Sequence, residues 1–251
     1  MKNVRSEDVR NANRRFYDLL ADRYEAVDGR RSEDLSDYVR SILRHLRRDA
    51  PDGPLLDLGA GSGFISKCAA GIFQTRIGTD ISPGILATYR DRFDMAVASS
   101  VDQASFAPDS FAAVAAFAVL HHLYDVTAVA REAFRILKPG GMFYADHDMS
   151  AAFFRMWKPL LLFYRLLRFS PGKYRRSDSR LTYALYRLSE WGERGIDDDV
   201  LNAAFAREGF TVTMTYHWYG LNSITDRLFG KTVHTRRYAP LIRLIARKPE
   251  S

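Results

Sequence analysis

Apolar residues recur along this chain with two different spacings, and the spacing predicts which segments are helices and which are strands. Residues 6–27 and 33–48 carry apolar positions three and four residues apart, which predicts two N-terminal helices. Short apolar runs bounded by turn residues predict strands. The predicted strands are 55–58, 75–79, 95–98, 111–119, 142–145, 210–218 and 238–247.

The first five predicted strands alternate with helices, whereas a long connection joins the last two. Alternation of this kind is typical of an α/β fold with an open, doubly wound, mostly parallel sheet. The last two strands suit an antiparallel hairpin at one edge. The sequence therefore predicts a Rossmann-like, seven-stranded sheet. Its 251 residues, 47% of them apolar, predict a single domain over 1–251.

Charge and cysteine content narrow the class of protein. The net charge is +7, and residues 151–191 hold nine basic against two acidic residues, an excess equal to the whole net charge. Cys68 is the only cysteine, and no His/Cys cluster has ligand spacing, so we expect no disulfide and no metal site. The charged N-terminus disfavours a secretory signal, and a cytoplasmic location is expected.

A glycine-rich turn is the most informative segment. The run LLDLGAGSG predicts a strand that turns through Gly59, Gly61 and Gly63 into a helix, where a ligand could press against the backbone. The dinucleotide fingerprint requires glycine at the sixth position of this motif, which is Phe64 here. Asp57, at the end of the strand, would repel a pyrophosphate and attract a cation.

A second carboxylate follows at the end of the next predicted strand. Asp80 stands 23 residues after Asp57, where an acidic side chain can accept hydrogen bonds from both ribose hydroxyls. A cationic nucleoside without phosphate groups fits these two positions better than a dinucleotide does.

These segments, in this order, resemble the class I S-adenosylmethionine (SAM)-dependent methyltransferases, and more narrowly the small-molecule group that includes ubiquinone and menaquinone biosynthesis enzymes. The resemblance rests on LLDLGAGSGF, IGTDIS, SFAPDSF, AVLHHL, REAFRILKPGG and IRLIARKP. It implies SAM as cofactor, S-adenosylhomocysteine as product, and methyl transfer to O, N or C of a small, apolar or aromatic acceptor. It also implies an N-terminal helical cap over 1–50 and a helical lid insertion over 151–195.

The resemblance assigns cofactor-binding roles residue by residue. Asp57 would hold the amino group of SAM, Asp80 would bind the ribose, and Ile81 would pack on the adenine. Where the family has an acidic residue for the adenine edge, this chain has Ser100, with Asp102 two residues later, so that contact stays open between the two. The expected cofactor residues are Arg23, Tyr24, Asp57, Gly59, Ala60, Gly61, Gly63, Asp80, Ile81, Ser100, Val101, Asp102, Phe117 and His121.

Two histidines are candidate catalytic bases, because imidazole titrates near neutral pH. His122 and His147 each follow a predicted strand at the edge where ligands bind in such sheets. Asp146 and Asp148 flank His147 and could orient it, whereas His121 and His122 match a family motif that lines the cofactor pocket. In the cap and lid, Tyr17, Phe153, Phe154 and Trp157 are expected at the acceptor, Tyr24 at the same pocket, and Arg23 at the SAM carboxylate.

The basic, aromatic segment 151–191 leaves a second function open. A SAM-binding protein without transfer activity could use it as a membrane-surface or interaction module. Nucleic acid is disfavoured as a partner, because methyltransferases of exocyclic amines carry an Asn/Asp-Pro-Pro-aromatic motif after strand four, where this chain has 118–121, AVLH. We expect a small-molecule acceptor and a monomer or homodimer, with peripheral membrane contact left open.

Overall fold

The computed structural model describes residues 4–28, 31–167, 170–192 and 194–250. The strands are β1 (Leu55–Leu58), β2 (Arg76–Asp80), β3 (Met95–Ala98), β4 (Phe111–Phe117), β5 (Leu137–Met149), β6 (Thr211–His217) and β7 (Leu241–Arg247). The helices are α1 (Ser6–Leu20), α2 (Tyr24–Asp28), α3 (Glu33–Asp49), α4 (Phe64–Cys68), α5 (Pro83–Thr88), α6 (Thr127–Ile136), α7 (Ala151–Leu167), α8 (Ser170–Ser177), α9 (Tyr183–Ser189), α10 (Asp198–Glu208) and α11 (Ser223–Phe229). Residues 168–169 and 193 of the predicted lid lie outside the described ranges.

The seven strands form one sheet in the order β3-β2-β1-β4-β5-β7-β6. β7 runs antiparallel to both of its neighbours, and the other adjacent pairs are parallel. This arrangement confirms the predicted doubly wound sheet with an antiparallel pair at one edge. The chain moves outward from β1 to β3 and returns to β4, so a crevice opens between β1 and β4 at their carboxyl ends, where such sheets bind ligands.

Apolar residues bury both faces of the central strands. On one face, Leu56 and Leu58 belong to a core that includes residues of α6 and α10. On the other face, Leu55 belongs to a core that includes residues of α3 and α4. β1 therefore alternates between two cores, and its only polar residue, Asp57, faces α4, with which it forms hydrogen bonds.

Some element boundaries differ from the sequence prediction. β5 begins at Leu137, which pairs with Phe111 ahead of the Pro-Gly-Gly turn, so this strand is longer at both ends than predicted. α11 lies in the long connection between β6 and β7, where no helix was predicted. The Asn222 side chain accepts hydrogen bonds from the Ile224 and Thr225 amides and caps it.

Helix α1 lies against the carboxyl edge of the sheet. Its Asp18 accepts hydrogen bonds from Ser82 Oγ (2.5 Å) and Gly84 N (3.0 Å), which attach it to the start of α5. Phe16 packs edge-on against Tyr174 of α8, with the ring centroids 5.1 Å apart. The N-terminal helix therefore joins the sheet to the segment after β5.

Gly78 of β2 is a close-packing position beneath the glycine loop, because a Cβ there would lie 2.4 Å from the Phe93 ring. We expect Gly78→Ala to lower the free energy of unfolding by about 2 kcal/mol, since Phe93 also abuts Gly63 and has little room to move. Gly71→Ala is the control: its φ of +76° costs about 1 kcal/mol, but nothing lies within 4 Å. Urea unfolding measures both, and an equal or smaller loss for Gly78→Ala would contradict this packing.

Candidate active site

A cleft lies where the crevice between β1 and β4 meets helix α1. It encloses about 960 Å³, its open mouth included. Its floor is the glycine loop after β1, and its walls come from the ends of β2 and β4 and from α1. Thirteen predicted site residues line it: Tyr17, Tyr24, Asp57, Gly59, Ala60, Gly61, Asp80, Ile81, Ser100, Val101, Asp102, Phe117 and His122.

The glycine loop is held in a left-handed backbone conformation. Gly59 and Gly61 have φ values of +69° and +51°, which side chains disfavour. A Cβ on Gly59 would also lie 2.6 Å from Val119. Gly63 does not line the cleft; with a φ of +72° it ends the loop and begins α4. The loop thus presents bare backbone to the cleft.

Asp57 is a buried carboxylate at the end of β1. Its Oδ2 accepts hydrogen bonds from Ser66 N and Ser66 Oγ, both at 2.9 Å. Burial raises the pKa of Asp57 to about 7, against the effect of those hydrogen bonds. Among the described residues, none donates a hydrogen bond to its Oδ1. A cation bound in the cleft would therefore stabilise the ionised form of Asp57, which burial disfavours.

Asp80, at the end of β2, is the second buried carboxylate of the cleft. It accepts hydrogen bonds from Gly61 N (3.0 Å) and Ser82 N (2.9 Å). Burial raises its pKa, and these backbone amides oppose the rise. The carboxylate thus fixes the glycine loop while it faces the cleft, where hydroxyl groups of a ligand could donate to it.

Ser100 and Asp102, the two candidates for the adenine contact, occupy one wall together. The Ser100 hydroxyl donates to Asp102, and Arg10 of α1 donates to the other carboxylate oxygen of Asp102 at 3.0 Å. All three side chains line the cleft. The structure joins the two candidates in one hydrogen-bonded unit and adds Arg10, which the sequence analysis did not identify.

A second arginine, Arg31, lines the cleft, whereas Arg23 does not. Arg31 donates to Ser62 Oγ at 2.7 Å, and its guanidinium carbon lies 4.8 Å from the centroid of the Phe64 ring. Arg23 is exposed and donates to the carbonyl of Ser177, so the structure does not bring it to the cleft. The resemblance to relatives with an N-terminal cap pointed to Arg23, whereas no sequence pattern identified Arg31.

His122 forms a hydrogen-bonded pair with Tyr17 inside the cleft. Its Nδ1 lies 2.8 Å from the Ser189 carbonyl, which can only accept, so Nδ1 carries the proton. Its Nε2 lies 2.9 Å from the Tyr17 hydroxyl and accepts from it. Burial lowers the pKa of His122, as does the neighbouring His121. This imidazole is therefore neutral at neutral pH and can accept a proton.

His121 points away from the cleft. Its Nδ1 lies 2.7 Å from Asp148 Oδ1, and its Nε2 lies 3.5 Å from Glu190 Oε2. Asp148, which was predicted to orient His147, thus contacts His121 instead. The reason is a bulge between Asp146 and Asp148 in β5, which sends the two carboxylates in different directions.

His147 is also outside the cleft, directly behind one of its walls. Its ring stacks on Phe117, with the centroids 4.2 Å apart, and its Nδ1 donates to Asp146 Oδ1 at 2.9 Å. The same oxygen accepts from His217 Nε2 at 2.8 Å, and Tyr144 donates to Oδ2. Although burial would raise it, the two imidazoles hold the pKa of Asp146 far below its usual range.

The donor atoms of Asp146, His147 and His217 lie within 4.8 Å of one another, a spacing that a metal ion could use. His147 Nε2 and His217 Nδ1 are buried and, within the described ranges, have no hydrogen-bond partner. A metal on the inner nitrogens would require protons on these outer ones, with no acceptor for either. Two imidazoles that donate to one carboxylate fit the geometry better. The absence of a metal site stays a prediction.

Of the aromatic residues predicted at the acceptor, Tyr17 lines the cleft, but the three from the lid lie elsewhere. Phe153 and Phe154 are buried, and Phe153 packs edge-on against Trp218 at 5.3 Å. Trp157 donates to the Arg237 carbonyl at 3.0 Å. The rest of the cleft lining comes from residues that sequence reasoning did not single out: Ser6, Val9, Arg10, Asn13, Arg31, Phe64, Ile65, Ala118, Val119, Leu123, Tyr124 and Asp125.

Comparisons with known proteins agree with this geometry. Residues 56–145 match the family described as a methyltransferase domain. The demethylmenaquinone methyltransferase of Mycobacterium marinum is 30% identical over 150 residues, which are 59% of this chain and 65% of that enzyme. The ubiquinone biosynthesis O-methyltransferase of Xanthomonas oryzae is 32% identical over 112 residues, which are 42% of this chain and 45% of that enzyme. The chain thus spans between about half and two thirds of these relatives.

A solved structure extends the likeness to nearly the whole chain. A SAM-dependent methyltransferase from Thermotoga maritima superposes with a TM-score of 0.60, covering 94% of this chain and 99% of the other, at 13% identity. That identity shows a shared fold and no more. The domain match, the relatives and the fold agree with one another: residues 56–145 match a methyltransferase domain, and the chain is similar to class I SAM-dependent methyltransferases.

Proposed function

We propose that the protein transfers the methyl group of SAM to a small, apolar or aromatic acceptor, and that His122 takes up the acceptor's proton through Tyr17. One observation carries the proposal. The carboxylate-lined glycine loop and the Tyr17–His122 pair open into the same cleft. A cofactor site and a base are therefore within reach of one bound acceptor.

The cleft residues suit SAM group by group. Asp57 would hold the ammonium group, and Arg31 would hold the carboxylate as a charge-assisted hydrogen-bond donor. Asp80 would accept from the ribose hydroxyls, while Ile81 packs on the adenine and Asp102 accepts from its amino group. Bound SAM carries an electrophilic methyl group on a sulfonium, so the chain itself needs no covalent nucleophile.

The protein's own part in the reaction is to position the acceptor and accept its proton. An acceptor hydroxyl beside Tyr17 gives its proton to the Tyr17 oxygen, as the Tyr17 proton passes to His122 Nε2. In the imidazolium that forms, Nδ1 still donates its hydrogen bond to the Ser189 carbonyl. Glu190 Oε1 lies 3.9 Å from the same nitrogen. The carboxylate stabilises the charge that the transfer creates.

The cleft walls favour an acceptor with an apolar ring. Phe64, Phe117, Val119 and Leu123 line the cleft together with Tyr124. Such walls lower the free energy of an aromatic acceptor by removing its surface from water. The mycobacterial relative is named for demethylmenaquinone, an acceptor of this chemical class. A quinol or phenol is therefore our first choice of acceptor.

Arg31→Ala should weaken SAM binding by about tenfold to a hundredfold, since it removes a charged donor from the carboxylate. Arg23→Ala is the matched control, because Arg23 contacts the Ser177 carbonyl outside the cleft, and its SAM affinity should be unchanged. Titration calorimetry with purified protein measures both. A loss in Arg23→Ala with none in Arg31→Ala would reverse the assignment.

SAM affinity should depend on pH through Asp57. A bound cation favours the carboxylate form, so binding releases a proton wherever free Asp57 is protonated. With the pKa of Asp57 at about 7, affinity should rise roughly tenfold per unit between pH 5.5 and 7 and then level off. Calorimetry across this range tests the slope. The Asp57→Asn variant should bind weakly with a flat profile, and a slope retained in that variant would assign the proton to another group.

His122→Gln and Tyr17→Phe should each lower turnover by about a hundredfold or more while SAM affinity stays constant, because only proton removal is affected. His45→Gln, at an exposed position of α3, is the control. The measurement is S-adenosylhomocysteine formed with 1,4-dihydroxynaphthalene, followed by mass spectrometry. SAM binding without product from any quinol, phenol or aryl amine would contradict the proposed activity.

A further inference from the structure

Exposed apolar side chains concentrate on two segments, helix α7 and the connection between β6 and β7. Ile224 and Leu228 are each 70% exposed, and Leu160 and Tyr238 are each 59% exposed. Ile224 and Leu228 stand four residues apart on α11 and so share one face of that helix. We call these four residues together with Trp157 the apolar surface. Large apolar side chains this exposed are typical of an interaction site when the segments that carry them lie together.

The two segments are in direct contact. Trp157 of α7 donates its indole proton to the Arg237 carbonyl of the connection at 3.0 Å. Phe153 of α7 packs against Trp218, and Trp218 stacks on Phe229 of α11 with the centroids 4.9 Å apart. Trp218 thus lies between Phe229 of α11 and Phe153 of α7, while Ile224 and Leu228 face the solvent.

Basic residues stand among these apolar side chains. Residues 221–238 hold four basic residues and one acidic residue, Asp226, whose carboxylate accepts a hydrogen bond from Gly220 N at 2.7 Å. Lys158 of α7 and Arg227 and Arg237 of the connection are exposed and pair with no carboxylate in the part of the chain that the structure describes. Exposed apolar residues interleaved with unneutralised cations fit an anionic lipid surface better than nucleic acid or a wholly apolar partner.

The sheet places this surface at the edge that holds the cleft. β6 runs in the same direction as β5, because both are antiparallel to β7. The connection after β6 and helix α7 after β5 therefore both leave the sheet at the carboxyl edge. Within the described ranges, every helix is too short or too polar to cross a bilayer, so contact with lipid would be peripheral.

We propose that the apolar surface binds an anionic phospholipid membrane, with Ile224, Leu228 and Trp157 entering the headgroup region and the neighbouring cations contacting lipid phosphates. This goes beyond the proposed methyl transfer. It does not depend on SAM binding, so either proposal can fail alone.

Co-sedimentation of the whole chain with vesicles tests it, using phosphatidylcholine alone or mixed with phosphatidylglycerol. The wild-type chain should pellet with the mixed vesicles and not with phosphatidylcholine, and salt should weaken binding. Ile224→Asp/Leu228→Asp should lower the vesicle affinity at least about tenfold. The triple variant Lys158→Glu/Arg227→Glu/Arg237→Glu should lose about as much or more. Both variants should bind SAM as the wild type does, which shows that they fold.

Matched controls place the same changes elsewhere. Met95→Asp alters an exposed residue on β3, the opposite edge strand of the sheet. Arg44→Glu/Lys67→Glu/Arg131→Glu reverses three exposed charges on other helices. Both control variants should leave vesicle binding nearly unchanged. Tryptophan emission should shift to the blue on vesicle binding, and Trp157→Phe should reduce the shift.

Three results would overturn the proposal. The first is no pelleting with either vesicle, and the second is an equal loss in the Met95→Asp control. The third is a concentration-dependent dimer that Ile224→Asp/Leu228→Asp converts to monomer, which would make the apolar surface a contact between copies of this chain.

Discussion

The hydrogen bonds between Asp57 and Ser66 are the constraint on which the site depends. They join Asp57, near the end of β1, to Ser66 in the first turn of α4. The loop between them contains glycines in left-handed conformations. Asp80 then holds the same loop from β2 through Gly61 N. The two carboxylates, buried at strand ends, thus hold the loop backbone in place and also supply negative charge to the cleft. Their burial disfavours ionisation, and that is the energetic reason for a cation to bind there.

Local patterns predicted the sheet because each strand carries its own signal. β1 and β3 have the predicted bounds, and the apolar run of β4 is buried through almost its whole length. The interleaved order with β7 between β5 and β6 agrees with the predicted edge pair. α11 was not predicted, because seven residues are too few to show a helical spacing of apolar positions. Its N-cap residue, Asn222, is also common in ordinary turns.

The site divides in the same way. Residues named from a contiguous motif, such as Asp57, Gly61 and Asp80, meet in one cleft, although their roles toward SAM stay predictions. Of the residues named from the cap and lid, Tyr17 and Tyr24 line the cleft, whereas Arg23 and Phe153 lie elsewhere, because the positions of such residues depend on tertiary packing. The position of Arg31 at the cleft also depends on tertiary packing. A single bulge in β5 was enough to separate Asp148 from His147, and no sequence rule places such a bulge.

The segment after β5 contacts the loop after β4 through hydrogen bonds, ion pairs and a ring stack. The Ser189 carbonyl accepts from His122 Nδ1, and Gly192 N donates to the His121 carbonyl at 2.6 Å. The hydrogen bond to Ser189 also determines that Nε2 of His122 is the nitrogen without a proton. If the segment swung away to admit an acceptor, His122 would be free to exchange tautomers and turn its ring. A fixed Nε2 acceptor on His122 would then require the segment to return to the contact between Ser189 and His122.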